Sequence, residues 1–331
     1  MRNRWIFVAA LGLAVVGCQQ KHETAAAPKS FTIAVIPQGS THEFWKSIHA
    51  GAMKAAGDEA KDDVHVNVIW KGPMREDDRE QQVQVVEGFT TQHVSGIVLA
   101  PFDKNALVRP IEEATRAGIP TVVIDSALES HDPISFVASN NFHGGELAAE
   151  EMNRLLGGKG KVLLLRYQEG VFSTEQREKG FEEKIKTFPG ITLISSNQYA
   201  GATRDTAKSA TENLLNRYSN EIDGLFTPNE SSTAGALLAL EDAGKAGKIR
   251  FLGFDASDIF VQAMRDGKLQ GVVVQNPFRM GELGVKTLVA HLLRKPVEKR
   301  VDTGVTLITP ANLDSAESKQ LLHPPIEQYL K

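Results

Sequence analysis

The sequence predicts an α/β protein of two similar lobes, each built on a doubly wound parallel sheet. Three observations carry this. Short apolar runs of strand length alternate with helical segments from Phe31 almost to the C-terminus, the pattern of parallel strands covered on both faces. The alternation comes in two successive sets, divided after Phe136 to Ala138. Finally, the residue closing a strand is repeatedly polar: Asp125, Arg166, Asn229, Asp255 and Gln275. A chain of 331 residues is long enough for two lobes.

The first residues stand apart from this pattern. Arg2 and Arg4 precede an apolar segment, Trp5 to Val16, too short to span a bilayer and ending in small residues, which predicts a secretory signal. Val15-Val16-Gly17-Cys18 resembles a bacterial lipobox, so residues 1–18 are predicted to be a lipoprotein signal ending at the lipidated Cys18. The mature chain would then be periplasmic or on the cell surface, anchored to a bacterial membrane. Cys18 is the only cysteine, so there is no disulfide framework. Residues 19–30, rich in alanine and polar side chains, read as a flexible tether.

Phe31 to Ile36 reads as a buried strand bounded by Pro37-Gln38-Gly39. In the following helix Ser40 and Glu43 have capping-box spacing, and Trp45, Ile48, Ala52 and Ala55 recur at helical intervals. Phe44 and Trp45 therefore lie in its first turn, at the carboxyl edge where open α/β sheets bind ligands. Neighbouring residues on a helix point about 100° apart, which predicts one ring in the core and the other free to stack on a small molecule. Val64, Val66, Val68 and Trp70 alternate as a strand; a helix near 78–92, the run Gly96 to Ala100, a helix through Leu107, Ile111 and Ala114, and the strand Pro120 to Ile124 follow. The second set comprises a helix from Gly144 to Leu156, a strand from Lys161 to Leu165, and a helix opened by a capping box at Ser173 to Gln176. Strands at Thr192 to Ile194, Leu225 to Thr227, Ile249 to Gly253 and Gly271 to Val274 complete it. A cleft between two such lobes is a preferred place for a small-molecule site, and paired donors and acceptors at strand ends suit vicinal hydroxyls.

Composition and motifs narrow the function. Lys+Arg 37 against Asp+Glu 41 gives a net charge of −4, which argues against a nucleic-acid surface. There is no G-x-S-x-G elbow, no H-E-x-x-H and no metal spacing among the nine histidines, so the reading is not an enzyme and calls for no cofactor and no metal. Gly157-Gly158-Lys159-Gly160-Lys161 precedes a strand and reads as a helix stop rather than a phosphate loop.

From Phe31 to about Thr309 the chain resembles the sugar-binding class of type I periplasmic binding proteins, the solute receptors of ABC importers. The resemblance rests on the order of Phe44-Trp45 with Gly51-Ala52, Gly96 to Pro101 with Asp103, Ala117-Gly118-Ile119-Pro120 leading to Ile124-Asp125-Ser126, and Asn141 with Gly144-Gly145. It continues through Gly158 to Val162, Arg177 with Gly180-Phe181, Asn229, Gly253-Phe254-Asp255, and Gln275-Asn276-Pro277 with Gly281. It implies a monosaccharide or similar polyol as ligand, bound by Phe44, Trp45, Asp125, Arg177, Asn229, Asp255 and Gln275, with Trp45 stacked on the ring and Arg177 spanning two polar atoms. His42, Lys71 and Asn141 are secondary candidates. His42 stands where the family has Asn, Ser126 where the ribose type has Arg, and Ala202 near the place of a second-lobe aromatic. The resemblance also implies discontinuous lobes, 31–139 plus 276–304 and 140–275 plus 305–331, joined by a three-strand hinge near Ser139-Asn140, Gln275-Asn276 and Gly304-Val305. A monomeric receptor delivering its ligand to an ABC permease with a separate ATPase follows; the alternative is a co-receptor for a membrane sensor of the chemotaxis, histidine-kinase or autoinducer type. A repressor of the same fold would need an N-terminal DNA-binding helix pair where this chain has an export signal.

Overall fold

The computed structural model describes residues 29–330 except Thr41 and 219–220. The signal, Cys18 and residues 19–28 of the tether lie outside the described residues. In chain order the elements are β1 (Lys29–Ile36), α1 (Glu43–Glu59), β2 (Val64–Trp70), α2 (Arg79–Thr91), β3 (Gly96–Leu99), α3 (Val108–Arg116), β4 (Thr121–Ile124) and β5 (Ser135–Ala138). There follow α4 (Asn141–Leu155), β6 (Gly160–Arg166), α5 (Phe172–Ile185), β7 (Ile191–Tyr199), α6 (Arg204–Tyr218), β8 (Gly224–Phe226), α7 (Glu230–Asp242), β9 (Arg250–Phe254), α8 (Asp258–Arg265) and β10 (Gly271–Gln275). The chain ends with α9 (Pro277–Leu292), β11 (Arg300–Asp302), β12 (Val305–Ile308), α10 (Ala316–Leu322) and α11 (Ile326–Tyr329).

These form two six-stranded sheets of the same order, β2-β1-β3-β4-β5-β11 and β7-β6-β8-β9-β10-β12. All pairs are parallel except β10 with β12. In each sheet the order reverses beside the first strand, between β1 and β3 and between β6 and β8. Those reversals are where open α/β sheets leave a crevice at their carboxyl ends. The chain passes from one sheet to the other after β5, after β10 and between β11 and β12, and α9 packs on α1 of the first lobe.

Both faces of each sheet are covered, and the alternation along β1 shows how. Ile33 and Val35 pack with Ile48, Ala52 and Leu288 on the α1/α9 side, while Ala34 and Ile36 pack with Val86, Phe89 and Ile111 on the α2/α3 side. In the second lobe Val162 and Leu164 face Phe181 and Ala148, and Leu163 and Leu165 face Ala207, Leu237 and Phe260. Helix spacing is set by missing side chains: a Cβ on Gly145 would lie 2.0 Å from the Arg177 carbonyl, and one on Gly180 2.0 Å from the Phe142 carbonyl. Helices α4 and α5 therefore meet backbone to backbone, which fixes where Arg177 stands.

Local differences from the sequence reading have simple causes. The strand β1 begins at Lys29, because Lys29 and Ser30 already pair with Val64 and His65, so the tether ends two residues earlier than predicted. Neither predicted capping box forms: α1 starts after His42 and α5 after Val171, both without a side-chain cap. Side chains do cap elsewhere, with Asp78, Asn140, Asn229, Asn276 and Ser315 each accepting from a first-turn amide.

Candidate functional site

The carboxyl ends of the two sheets face one another across a small cavity. From the first lobe it is lined by Gln38 after β1, His42, Phe44 and Trp45 at the start of α1, Glu76 after β2 and Asp125 after β4. The second lobe supplies Tyr167 after β6, Arg177 from α5, Asn229 and Glu230 after β8, Asp255 after β9 and Gln275 at the end of β10. The two aspartates are counterparts. Each follows the fourth strand of its sheet in the left-handed region, Asp125 at φ 62° and Asp255 at φ 71°, a conformation Asp tolerates better than most residues. Each amide is held by the next strand, Asp125 by the Val137 carbonyl at 3.1 Å and Asp255 by the Val273 carbonyl at 2.8 Å. Each carboxylate accepts from a glutamine Nε2, Gln38 at 3.3 Å and Gln275 at 2.8 Å.

Arg177 is 2 % exposed and fully oriented. Its Nε donates to Asn141 Oδ1 at 2.8 Å, its Nη1 to the Pro228 carbonyl at 2.9 Å, and its guanidinium lies 4.0 Å over the Phe254 ring. Asp255 Oδ2 is 3.9 Å from Nη1. Burial pushes the Asp125 carboxyl up to about 7, only partly offset by Arg177. Burial raises Asp255 and Glu230 as well. Among the described residues the buried Gln275 Oε1 and Glu230 Oε2 atoms have no hydrogen-bond partner.

Contacts between the lobes close the cavity. Glu76 accepts from Trp45 Nε1 at 2.6 Å within its own lobe and from Tyr167 OH of the other at 2.7 Å. His42 Nδ1 stands 3.2 Å from Glu76 and 3.7 Å from Glu230 across the gap. Lys104 reaches Glu175 at 2.5 Å, and the Ser173 amide donates to Ser126 Oγ at 3.2 Å. Phe102 packs with Tyr167 and Val171. A groove of about 380 Å³ adjoins the cavity at Phe44, Asp255 and Gln275, but its other wall is the C-terminal segment and, of the cavity's charged groups, it shares only Asp255.

Comparison with known proteins agrees with this geometry. Residues 33–296 match the periplasmic binding protein domain family. The chain belongs to the periplasmic binding protein family. Among relatives, the ribose import binding protein of Haemophilus influenzae is 27% identical over 299 residues, 90% of this chain and 96% of that protein. An ABC transporter solute binding protein from Agrobacterium vitis, solved with bound D-fucose, is 34% identical with a TM-score of 0.84, covering 88% of this chain and 100% of that one. Another from Bacillus halodurans, solved with myo-inositol, is 26% identical with a TM-score of 0.78, covering 89% and 100%. Family membership makes this a solute-binding receptor rather than an enzyme.

Seven residues singled out from this receptor's sequence, Phe44, Trp45, Asp125, Arg177, Asn229, Asp255 and Gln275, all line the one cavity, as does His42. Their parts differ in detail. Trp45 is 3 % exposed and belongs to the core cluster of its lobe, so it is the ring that packs, while Phe44 is half-buried and stands edge-on to it at 4.9 Å. Asn229 spends its Oδ1 on capping α7 and its Nδ2 on Ser231 Oγ. Asn141 does not line the cavity; it stands behind Arg177 and holds it. Lys71 is exposed and away from the cavity, because its backbone continues the β1 pairing at Val35 and turns the side chain outward. Arg166 is tied to Glu178 and Glu182 inside its lobe. Ala202 is buried outside the cavity, and the second-lobe aromatic is Tyr167 instead. Sequence reasoning missed Gln38, Glu76, Tyr167 and Glu230. The sheet-end rule that singled out Asp125 points equally to Gln38 and Tyr167, which follow β1 and β6.

Proposed function

We propose that this chain is an extracytoplasmic receptor that closes its lobes on one monosaccharide or similar polyol and delivers it to an ABC-type permease driven by a separate ATPase. The observation that carries the reading is the facing pair Asp125 and Asp255 with Arg177, Gln275 and the rings of Phe44, Trp45 and Tyr167 around one cavity between the sheets. Carboxylates and an amide oxygen accept from hydroxyls, Arg177 donates, and aromatic faces take the C–H side of a ring. The sugars and cyclitol bound by its relatives support the same class. The ligand-binding set is Phe44, Trp45, Asp125, Arg177, Asn229, Asp255 and Gln275, with His42 beside them.

Sheet membership supports lobes of 31–139 plus 276–304 and 140–275 plus 305–331, hinged at the three crossings. Hinged closure is driven by a ligand's greater affinity for the closed form. The lipobox-like Val15 to Cys18 supports an anchor through a lipidated Cys18, with the monomeric receptor tethered outside the cytoplasmic membrane.

The test is thermal unfolding of the purified protein against pentoses, hexoses, deoxysugars and polyols. A ligand at 100 times its dissociation constant stabilises by about 2.7 kcal/mol, a shift of a few degrees. No shift from any member, with the fold intact, would remove the polyol assignment.

A further inference from the structure

The cavity holds an excess of negative charge that a neutral polyol leaves uncompensated. Four carboxylates line it, Glu76 and Asp125 from one lobe and Glu230 and Asp255 from the other. Against them stand Arg177 and, when protonated, His42 within the cavity, and Arg204, which pairs with Glu230 Oε1 from outside it. Counted generously, four carboxylates face three cations. The shortfall falls unevenly. Glu76 is fully engaged by Trp45, Tyr167 and His42. Asp255 takes Gln275 Nε2 and the Glu230 amide. Glu230, whose side chain is 8 % exposed, has Oε2 buried with no hydrogen bond among the described residues, the His42 ring standing off at 3.7 Å. Buried carboxylate oxygens without partners are costly, and the cost persists unless a donor or a positive charge arrives.

A hydroxyl brings Glu230 one donor and no charge, whereas an ammonium brings three donors and the missing positive charge. We propose that this site selects a cationic polyol, an amino sugar or amino-polyol, with its ammonium seated against Glu230 Oε2 and its hydroxyls on Asp125, Asp255 and Gln275. The inference rests on the polyol-receptor reading above and sharpens it to one chemical class. Burial meets part of the same excess by keeping Asp125, Glu230 and Asp255 protonated to higher pH than usual. The amine takes the place of that proton.

The test is titration calorimetry of the purified full-length chain with ligand pairs that differ only in an amine for a hydroxyl. D-Glucosamine with D-glucose, D-galactosamine with D-galactose, D-mannosamine with D-mannose, and 1-amino-1-deoxysorbitol with sorbitol form the set, and the N-acetyl sugars are neutral controls. In at least one pair the amine should bind about tenfold or more tightly, a gap of about 1.4 kcal/mol. The N-acetyl form should lose that advantage, and Glu230→Gln should bring the amine-to-hydroxyl ratio toward one. Should that variant fold poorly, the wild-type pairs and N-acetyl controls decide alone. Hydroxyl members that bind as well as or better than their amines would overturn the amine proposal and leave the polyol receptor standing. Silence from every pair and from the neutral panel would overturn both.

Discussion

Trp45 and Phe44 show at the scale of a residue how one motif divides its work. Trp45 is 3 % exposed in the core of its lobe and donates to Glu76, so Trp45→Ala should cost about 3–5 kcal/mol in urea unfolding as well as ligand affinity. Phe44→Ala should weaken binding at a smaller cost in stability, because its ring is half-buried; equal losses of stability in the two variants would contradict this division. The sequence told that two rings sit at the sheet edge and that one is core. Which one depends on Glu76, thirty-one residues away in the turn after β2, and periodicity does not report such a partner. Asp125 gives a pH prediction. Its carboxyl is raised from 3.8 to about 7, so its contribution to stability falls as pH rises through that interval. A ligand that donates hydroxyl hydrogens to Asp125 lowers the value again. Binding near neutral pH should then expel part of a proton, read by calorimetry in buffers of different ionisation enthalpy; strict absence of release would take Asp125 out of the ligand's hydrogen bonding.

Among elements, the α4/α5 contact controls the site most directly. Gly180→Ala would place a Cβ 2.0 Å from the Phe142 carbonyl, forcing α5 outward and drawing Arg177 from Asn141. A loss of about 1–3 kcal/mol or more is expected from overpacking, together with weaker ligand binding. Gly57→Ala, on an open face of α1 with nothing within 4 Å, is the control and should be neutral or stabilising by up to about 1 kcal/mol. Wild-type stability and affinity in Gly180→Ala would show that the helices can separate freely. Strand and helix order was legible because both faces of each sheet bury apolar side chains at strand period, as in Ile33 to Ile36. The helix starts were not. Ser40 and Glu43 have capping-box spacing, yet His42 is itself extended at the helix start, its ring drawn between Glu76 and Glu230. Tertiary charge overrode a local signal there.

Across the whole molecule, closure rests on a few polar contacts between lobes and should respond to pH. Burial works to lower His42, but the hydrogen bond and charge of Glu76 and the charge of Glu230 outweigh it and Arg204, so its pKa is raised. Its contribution is thus complete below its ordinary 6.5 and lost as pH rises through the higher folded value. Glu76 is lowered, because His42, Trp45 and Tyr167 outweigh its burial, so its contribution holds above its ordinary 4.5 and is lost as pH falls through the lower folded value. The window of strongest closure lies between those ordinary values. Small-angle scattering of the ligand-free protein should give a smaller radius of gyration at about pH 5.5 than at about pH 9, and Tyr167→Phe should expand it at both by removing a contact of about 1–3 kcal/mol. A radius independent of pH and of Tyr167 would assign closure to other contacts. The threading of the chain has its own consequence. The first sheet takes α9 and β11 from near the C-terminus, and the second takes β12 from beyond them. Neither half can therefore finish its architecture until late in synthesis: the α1 side of the first sheet is only partly covered until α9 has been made, and the second sheet lacks an edge until residue 308. Along a chain of this topology both lobes therefore stay incomplete almost to the last tenth of the sequence, and each is closed by elements that the other lobe's segment precedes.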